Sequence, residues 1–190
     1  MTLLMLGLIL FLGIHSIRIV SPATRESLLA RMGEGPWKGI YSLISALGLL
    51  LIVWGYAAAR EAPVVIWDPP VFTRHIALLV MLPVFPLLLA AYLPGRIKAA
   101  AKHPMLLAVK LWALAHLLAN GTLADVVLFG AFLAWAVADR ISVKRHPRQP
   151  AVGAPASGGN DAIALIGGLA LYAAMLFGLH TWLIGVSPLG

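Results

Sequence analysis

Residues 104–138 read PMLLAVKLWALAHLLANGTLADVVLFGAFLAWAVA. Two apolar runs, Pro104 to Ala119 and Thr122 to Ala138, are parted only by Asn120 and Gly121, and Lys110, His116 and Asp125 are their sole ionisable residues. The hydrocarbon core of a bilayer, about 30 Å thick, takes roughly 20 apolar residues per helical crossing. The stretch therefore reads as two membrane helices joined by a tight turn. Outward from it lie four more apolar stretches, Thr2 to Ile19, Gly39 to Ala59, Ile76 to Leu93 and Ala162 to Val186. The expected fold is all-α, a polytopic membrane protein with six transmembrane helices.

Composition agrees. Of 190 residues, 61% are hydrophobic and 11% charged, where soluble domains carry roughly 25% charged residues. Six crossings leave little chain for an extramembrane domain, so any chemistry belongs inside the bundle. There is no cysteine, which excludes disulfides, thiolate metal ligands, a cysteine nucleophile and covalent c-type haem. The first stretch has the length of a signal peptide but no basic residue ahead of it, and His15, Arg18 and Arg25 stand where a small-residue cleavage site would be. It reads as a retained helix.

The net charge of +7 is first a topology signal, because cytoplasmic loops collect Lys and Arg; it does not imply a nucleic-acid partner. Arg18, Arg25, Arg31 and Lys38 fall in the first connection, Arg96, Lys98 and Lys102 in the third, and Arg140, Lys144, Arg145 and Arg148 in the fifth. The second connection has only Arg60 and Arg74, and the fourth has none. Both termini are thus expected outside the cytoplasm. Ser21-Pro22 resembles a helix start, and Leu28, Leu29 and Met32 before Gly33 make a short amphipathic turn suited to the membrane surface. Residues 146–161, rich in Pro, Gly, Ala and Ser, read as a flexible cytoplasmic linker between a five-helix core, 1–145, and a sixth helix, 162–190. Pro83 and Pro86 should kink the third helix.

Ionisable residues inside membrane helices are costly and usually face the bundle interior, which makes them the best functional clues. They are His15, His75, His103, Lys110, His116, Asp125 and His180. The topology puts His15 and His103 near the cytoplasmic face, and His75, His116 and His180 near the outer face. Along one helix, His103 and His116 are about 20 Å apart and point roughly 140° apart, so one ligand cannot take both. Two imidazoles at matched depth on different helices can clamp the iron of a haem b. His116 with His75 is the expected outer pair, and His15 with His103 the inner alternative that would make a second haem site. The competing reading is structural: an intramembrane histidine also serves as a hydrogen-bonding tie between helices, and one at a helix end as an interfacial anchor.

Trp112, His116 and Asn120 recur at i, i+4 and i+8 and share one helix face. That face could line a cofactor or form a packed polar seam. Lys110, near mid-membrane, calls for an anionic partner such as a haem propionate, a lipid phosphate or an anionic substrate. Trp54, Trp112 and Trp135 lie deeper than the other tryptophans and suit either a pocket lining or core packing. Hydrolase and phosphate-binding motifs are absent, as is any pair of membrane carboxylates.

Several segments resemble the NnrU family: Tyr92-Leu93-Pro94-Gly95-Arg96-Ile97-Lys98, His103-Pro104-Met105-Leu106, and Lys110 through Gly121. The likeness extends through Phe129-Gly130, Trp135-Ala136 and Asp139-Arg140, and back to Arg74-His75, Gly33-Glu34-Gly35 and Gly13-Ile14-His15. The resemblance implies a bacterial inner-membrane protein associated with nitrite and nitric oxide reduction during denitrification. The family also includes the 15-cis-zeta-carotene isomerase of plants and cyanobacteria, a membrane haem b enzyme, and this implies haem, with His116 the first residue carried over as an axial ligand. For the second ligand His75 and His15 both stay open. The isomerase has a cysteine three residues before its ligand histidine, where this chain has Ala113, so exchange to thiolate is impossible here. The functions implied are electron transfer or nitric-oxide handling, with carotenoid isomerisation as the enzymatic alternative and a haem-free accessory or assembly role as the third. The partners implied are membrane lipid and either a redox partner or a small gaseous or hydrophobic ligand.

Overall fold

The computed structural model describes residues 1–146 and 153–190; residues 147–152, which carry Arg148 and part of the expected linker, lie outside the described residues. The described residues are arranged as helices α1 (Thr2–Val20), α2 (Pro22–Met32), α3 (Glu34–Glu61), α4 (Val71–Met81), α5 (Val84–Tyr92), α6 (Arg96–Ala101), α7 (Pro104–Ala119), α8 (Leu123–Arg145) and α9 (Asn160–Ala174). A π-helical segment, Met175–Leu179, then leads into α10 (His180–Ile184).

Among the described residues, five helical stretches are long and apolar enough to cross a bilayer, Thr2–Val20, Glu34–Glu61, Val71–Tyr92, Leu123–Arg145 and Asn160–Ile184. The sixth expected crossing corresponds to α7, which is apolar but has 16 residues. At 1.5 Å per residue it measures about 24 Å, short of a hydrocarbon core of about 30 Å. The difference arises at its ends, where Pro104 opens the helix and Asn120 turns extended.

Residue contacts divide the chain into two compact units, Met1–Trp67 with Gly121–Ser142, and Asp68–Asn120 with Val143–Gly190. This division differs from the expected core and appended helix, since α9 groups with α4 to α7.

In the first unit α1 and α3 run antiparallel at unusually close approach. Leu4, which is fully buried, lies against Gly55, Gly7 against Gly48 and Ile52, and Phe11 against Gly48. A Cβ on Gly48 would sit 2.7 Å from the Phe11 nitrogen, and one on Gly7 2.5 Å from that of Ile52. Only hydrogen fits there, so the glycines set the helix separation. Thr122 caps α8 by a reciprocal pair of bonds: the Asp125 amide donates to Thr122 Oγ1 at 3.3 Å, and the Thr122 amide to Asp125 Oδ2 at 3.0 Å. Gly121 O accepts from the amides of Ile66 and Trp67 at 2.8 and 3.1 Å, which ties the α3–α4 connection to the start of α8.

The second unit is organised around a break in one apolar stretch. Pro83 has no N–H, so the Leu82 amide turns to Leu79 O at 3.3 Å, and Leu78 O loses its usual donor four residues on. The Tyr172 hydroxyl of α9 donates to that carbonyl at 2.9 Å. At Gly168 the α9 backbone comes so close to Pro86 that a Cβ would overlap it. The kink expected from Pro83 and Pro86 is a two-residue break at Leu82 and Pro83, within one stretch long enough to span, and α9 packs against α5 beyond it. α7 packs on both halves, with Val84, Leu87 and Ala108 at the centre of the core and Leu111 and Trp112 against them.

The described end of the expected linker is tied down. The Ala154 amide donates to Tyr92 O at 2.9 Å, and Asn160 Nδ2 to Pro94 O at 2.8 Å and Pro155 O at 2.9 Å. Asp161 accepts from the amides of Arg96 and Ile97 at 2.8 and 3.0 Å, capping α6.

Candidate functional site

The second unit brings two histidines together, His116 from α7 and His180 from α10. Their ring centroids are 6.5 Å apart and the ring planes lie within 27° of each other. Each ring is fixed from behind by a backbone carbonyl. His116 Nδ1 is 2.8 Å from Trp112 O, one helical turn back, and His180 Nδ1 is 2.7 Å from Val186 O. A carbonyl only accepts, so Nδ1 bears a proton in both rings, and in the neutral form of each ring the lone pair is on Nε2. This is the tautomer of a histidine prepared to ligate a metal, oriented by a backbone oxygen.

Two local devices aim His180. The π-helical segment Met175–Leu179 immediately before it adds a residue to the turn and so changes the facing of everything that follows. After it, Gly185 takes a left-handed conformation, φ +79°, and sends the chain back so that Val186 O reaches the imidazole.

The expected stripe on α7 is assembled as one group. The Trp112 ring lies 5.3 Å from that of His116, and Asn120 Nδ2 donates to His116 O at 2.9 Å. Lys110 is half-buried on the same helix and, among the described residues, has neither an ion pair nor a hydrogen bond from its side chain. His75 is exposed in the second turn of α4, and among the described residues it makes no side-chain hydrogen bond or ring contact. His103 is the half-buried N-cap residue of α7. His15 belongs to the other unit, where its ring stacks on Phe11 at 4.3 Å and meets Tyr41 at 5.1 Å and the edge of Trp135 at 6.1 Å. Trp54, expected to lie deep, is 61% exposed.

Two imidazoles bound to one metal through nitrogens about 2 Å from it would place their ring centroids about 6 Å apart. The His116–His180 pair has that centroid spacing, with the two rings stacked at 27°. Among the described residues no group of three or more His, Asp or Glu side chains forms a conventional metal site. His116 is legible in the sequence as a site residue and His180 is not, because neither the π segment nor the returning C-terminal turn has a periodic signature.

Fold and pattern define an all-helical protein of the multi-pass membrane type, with a histidine pair carried by two of its apolar helices. The NnrU protein family model matches residues 3–188, and the chain belongs to that family. Neither a curated protein nor a solved structure matches it.

Proposed function

We propose that this chain is a haem b protein of the bacterial inner membrane that supports nitrite and nitric oxide metabolism by electron transfer. The observation that carries the reading is the His116–His180 pair, with both Nδ1 atoms committed to carbonyls. His180 replaces His75 as second axial ligand in this reading. Haem would supply a one-electron couple, and Trp112, Asn120 and Lys110 would serve as packing wall, positioning group for His116 and cation for a propionate. Two histidine ligands would saturate a haem iron, which favours electron transfer over nitric-oxide handling or carotenoid isomerisation, both of which need an open or labile position. The charge pattern supports six crossings, with α7 as the short one and both termini outside the cytoplasm.

The test is the absorption spectrum of the purified protein before and after dithionite. A Soret band that sharpens, with split α and β bands, is the expected result, and a featureless spectrum overturns the reading. His116→Ala and His180→Ala should each remove most of the bound haem. Loss with His75→Ala but not with His180→Ala would return the second ligand to His75. Carbon monoxide added to the reduced protein should leave the spectrum nearly unchanged; a large shift would favour gas binding.

A further inference from the structure

The first unit contains a second polar cluster, and it carries an inference independent of haem. His15 sits in an aromatic surround formed by Phe11 on its own helix, Tyr41 on α3 and Trp135 on α8. Its Nδ1 is 2.6 Å from Phe11 O, so the proton is on Nδ1 and the lone pair on Nε2. Ser45 lies one turn beyond Tyr41 and one turn before Gly48, the residue packed on Phe11, and therefore shares the α3 face turned to α1. Among the described residues, the buried side-chain polar atoms without a hydrogen-bond partner are Ser45 Oγ and Trp135 Nε1. Trp135 meets His15 edge-on, and Ser45 lies on the α3 face that carries Tyr41 and Gly48.

A buried donor left unmade is expensive, most of all where no water competes. Two such groups, one on the tryptophan that meets the His15 ring and one on the α3 face turned to α1, within apolar helices, point to a ligand that completes the bonding. The indole N–H can only donate, so the ligand offers an acceptor oxygen. His15 Nε2 accepts, so the ligand also presents a hydroxyl in one of its states. Aromatic rings around the cluster favour a flat ring, and the bilayer favours a lipophilic one. We propose that the first unit binds the head group of a membrane quinone: a carbonyl oxygen takes hydrogen bonds from Trp135 and Ser45, and His15 accepts from the hydroxyl of the quinol form.

The experiment uses the full-length protein in lipid nanodiscs, titrated with decylubiquinone while tryptophan fluorescence is followed. Saturable quenching at one quinone per chain is expected, with apparent affinity weakened about tenfold in Ser45→Ala, the size of one lost hydrogen bond, and similarly in His15→Gln. Trp135→Phe should abolish the saturable component. Quinone extracted from protein purified out of native membranes should fall in the same variants, while any Soret absorbance is unchanged in Ser45→Ala. Quenching of the wild type that rises linearly without saturation overturns the proposal, whatever the variants do. So does an experimental structure in which an ordered water bridges Ser45 Oγ and Trp135 Nε1.

Discussion

Tyr172 shows how one side chain can complete a backbone that proline has broken. Its hydroxyl supplies the donor that Leu78 O lost to the Pro83 interruption. Tyr172→Phe should destabilise the protein by about 1 kcal/mol, the net worth of an ordinary hydrogen bond, with the helical content unchanged. Thermal unfolding in detergent followed by circular dichroism measures this. Asp125 is the stronger case. It is buried, and its carboxylate accepts from Tyr56 Oη at 2.5 Å, Thr122 Oγ1 at 2.6 Å and the Thr122 amide. Asp125→Ala strands a half-buried phenol and opens the cap of α8, and should cost about 2–3 kcal/mol, while Tyr56→Phe should cost less. Equal losses from the two changes would show that the cap contributes nothing.

Among the helices, α1 and α3 depend on glycine for their approach, and the prediction is specific to position. Gly48→Val and Gly7→Val each drive side-chain carbon into facing backbone, and should lower stability by about 3 kcal/mol or prevent folding, at the upper end of overpacking costs. Gly13→Ala on the same α1 meets nothing within 4 Å and should be neutral or slightly stabilising. Size-exclusion profile and melting temperature separate the two classes. At the start of α6, Asp161→Ala removes the acceptor for the Arg96 and Ile97 amides. Their hydrogen exchange should speed up about tenfold, the scale of a lost helix cap, while the interior of α9 is unaffected. Protection left intact would mean that water replaces the carboxylate at no cost.

For the whole molecule, the asymmetry of Lys and Arg predicts that reporter domains fused to either end are active only outside the cytoplasm. A reporter fused after Lys98 should be active inside. If the two termini report on opposite sides, α7 does not cross and the five longer stretches alone span; if both report inside, six crossings run in the inverted orientation. What could be read from residues alone was whatever depends on local pattern. The apolar runs placed the five long helices, with α3 and α4 beginning a few residues earlier than hydropathy alone suggested, at Glu34 and Val71. Ser21-Pro22 marked the start of α2, Pro83 marked the break, and the α7 segment pointed to His116 and to the family. Hydropathy decides these because burial in lipid depends on each stretch by itself. The tertiary structure alone decided that the rings of His180 and His116 stack, that Tyr172 answers Leu78, that α9 belongs with α4 to α7, and that Ser45 Oγ and Trp135 Nε1 are left unbonded. Those facts depend on which helices meet, at what rotation and how closely. A π turn, a left-handed glycine and a Cβ that has no room set these relations, and none of them leaves a period in the sequence.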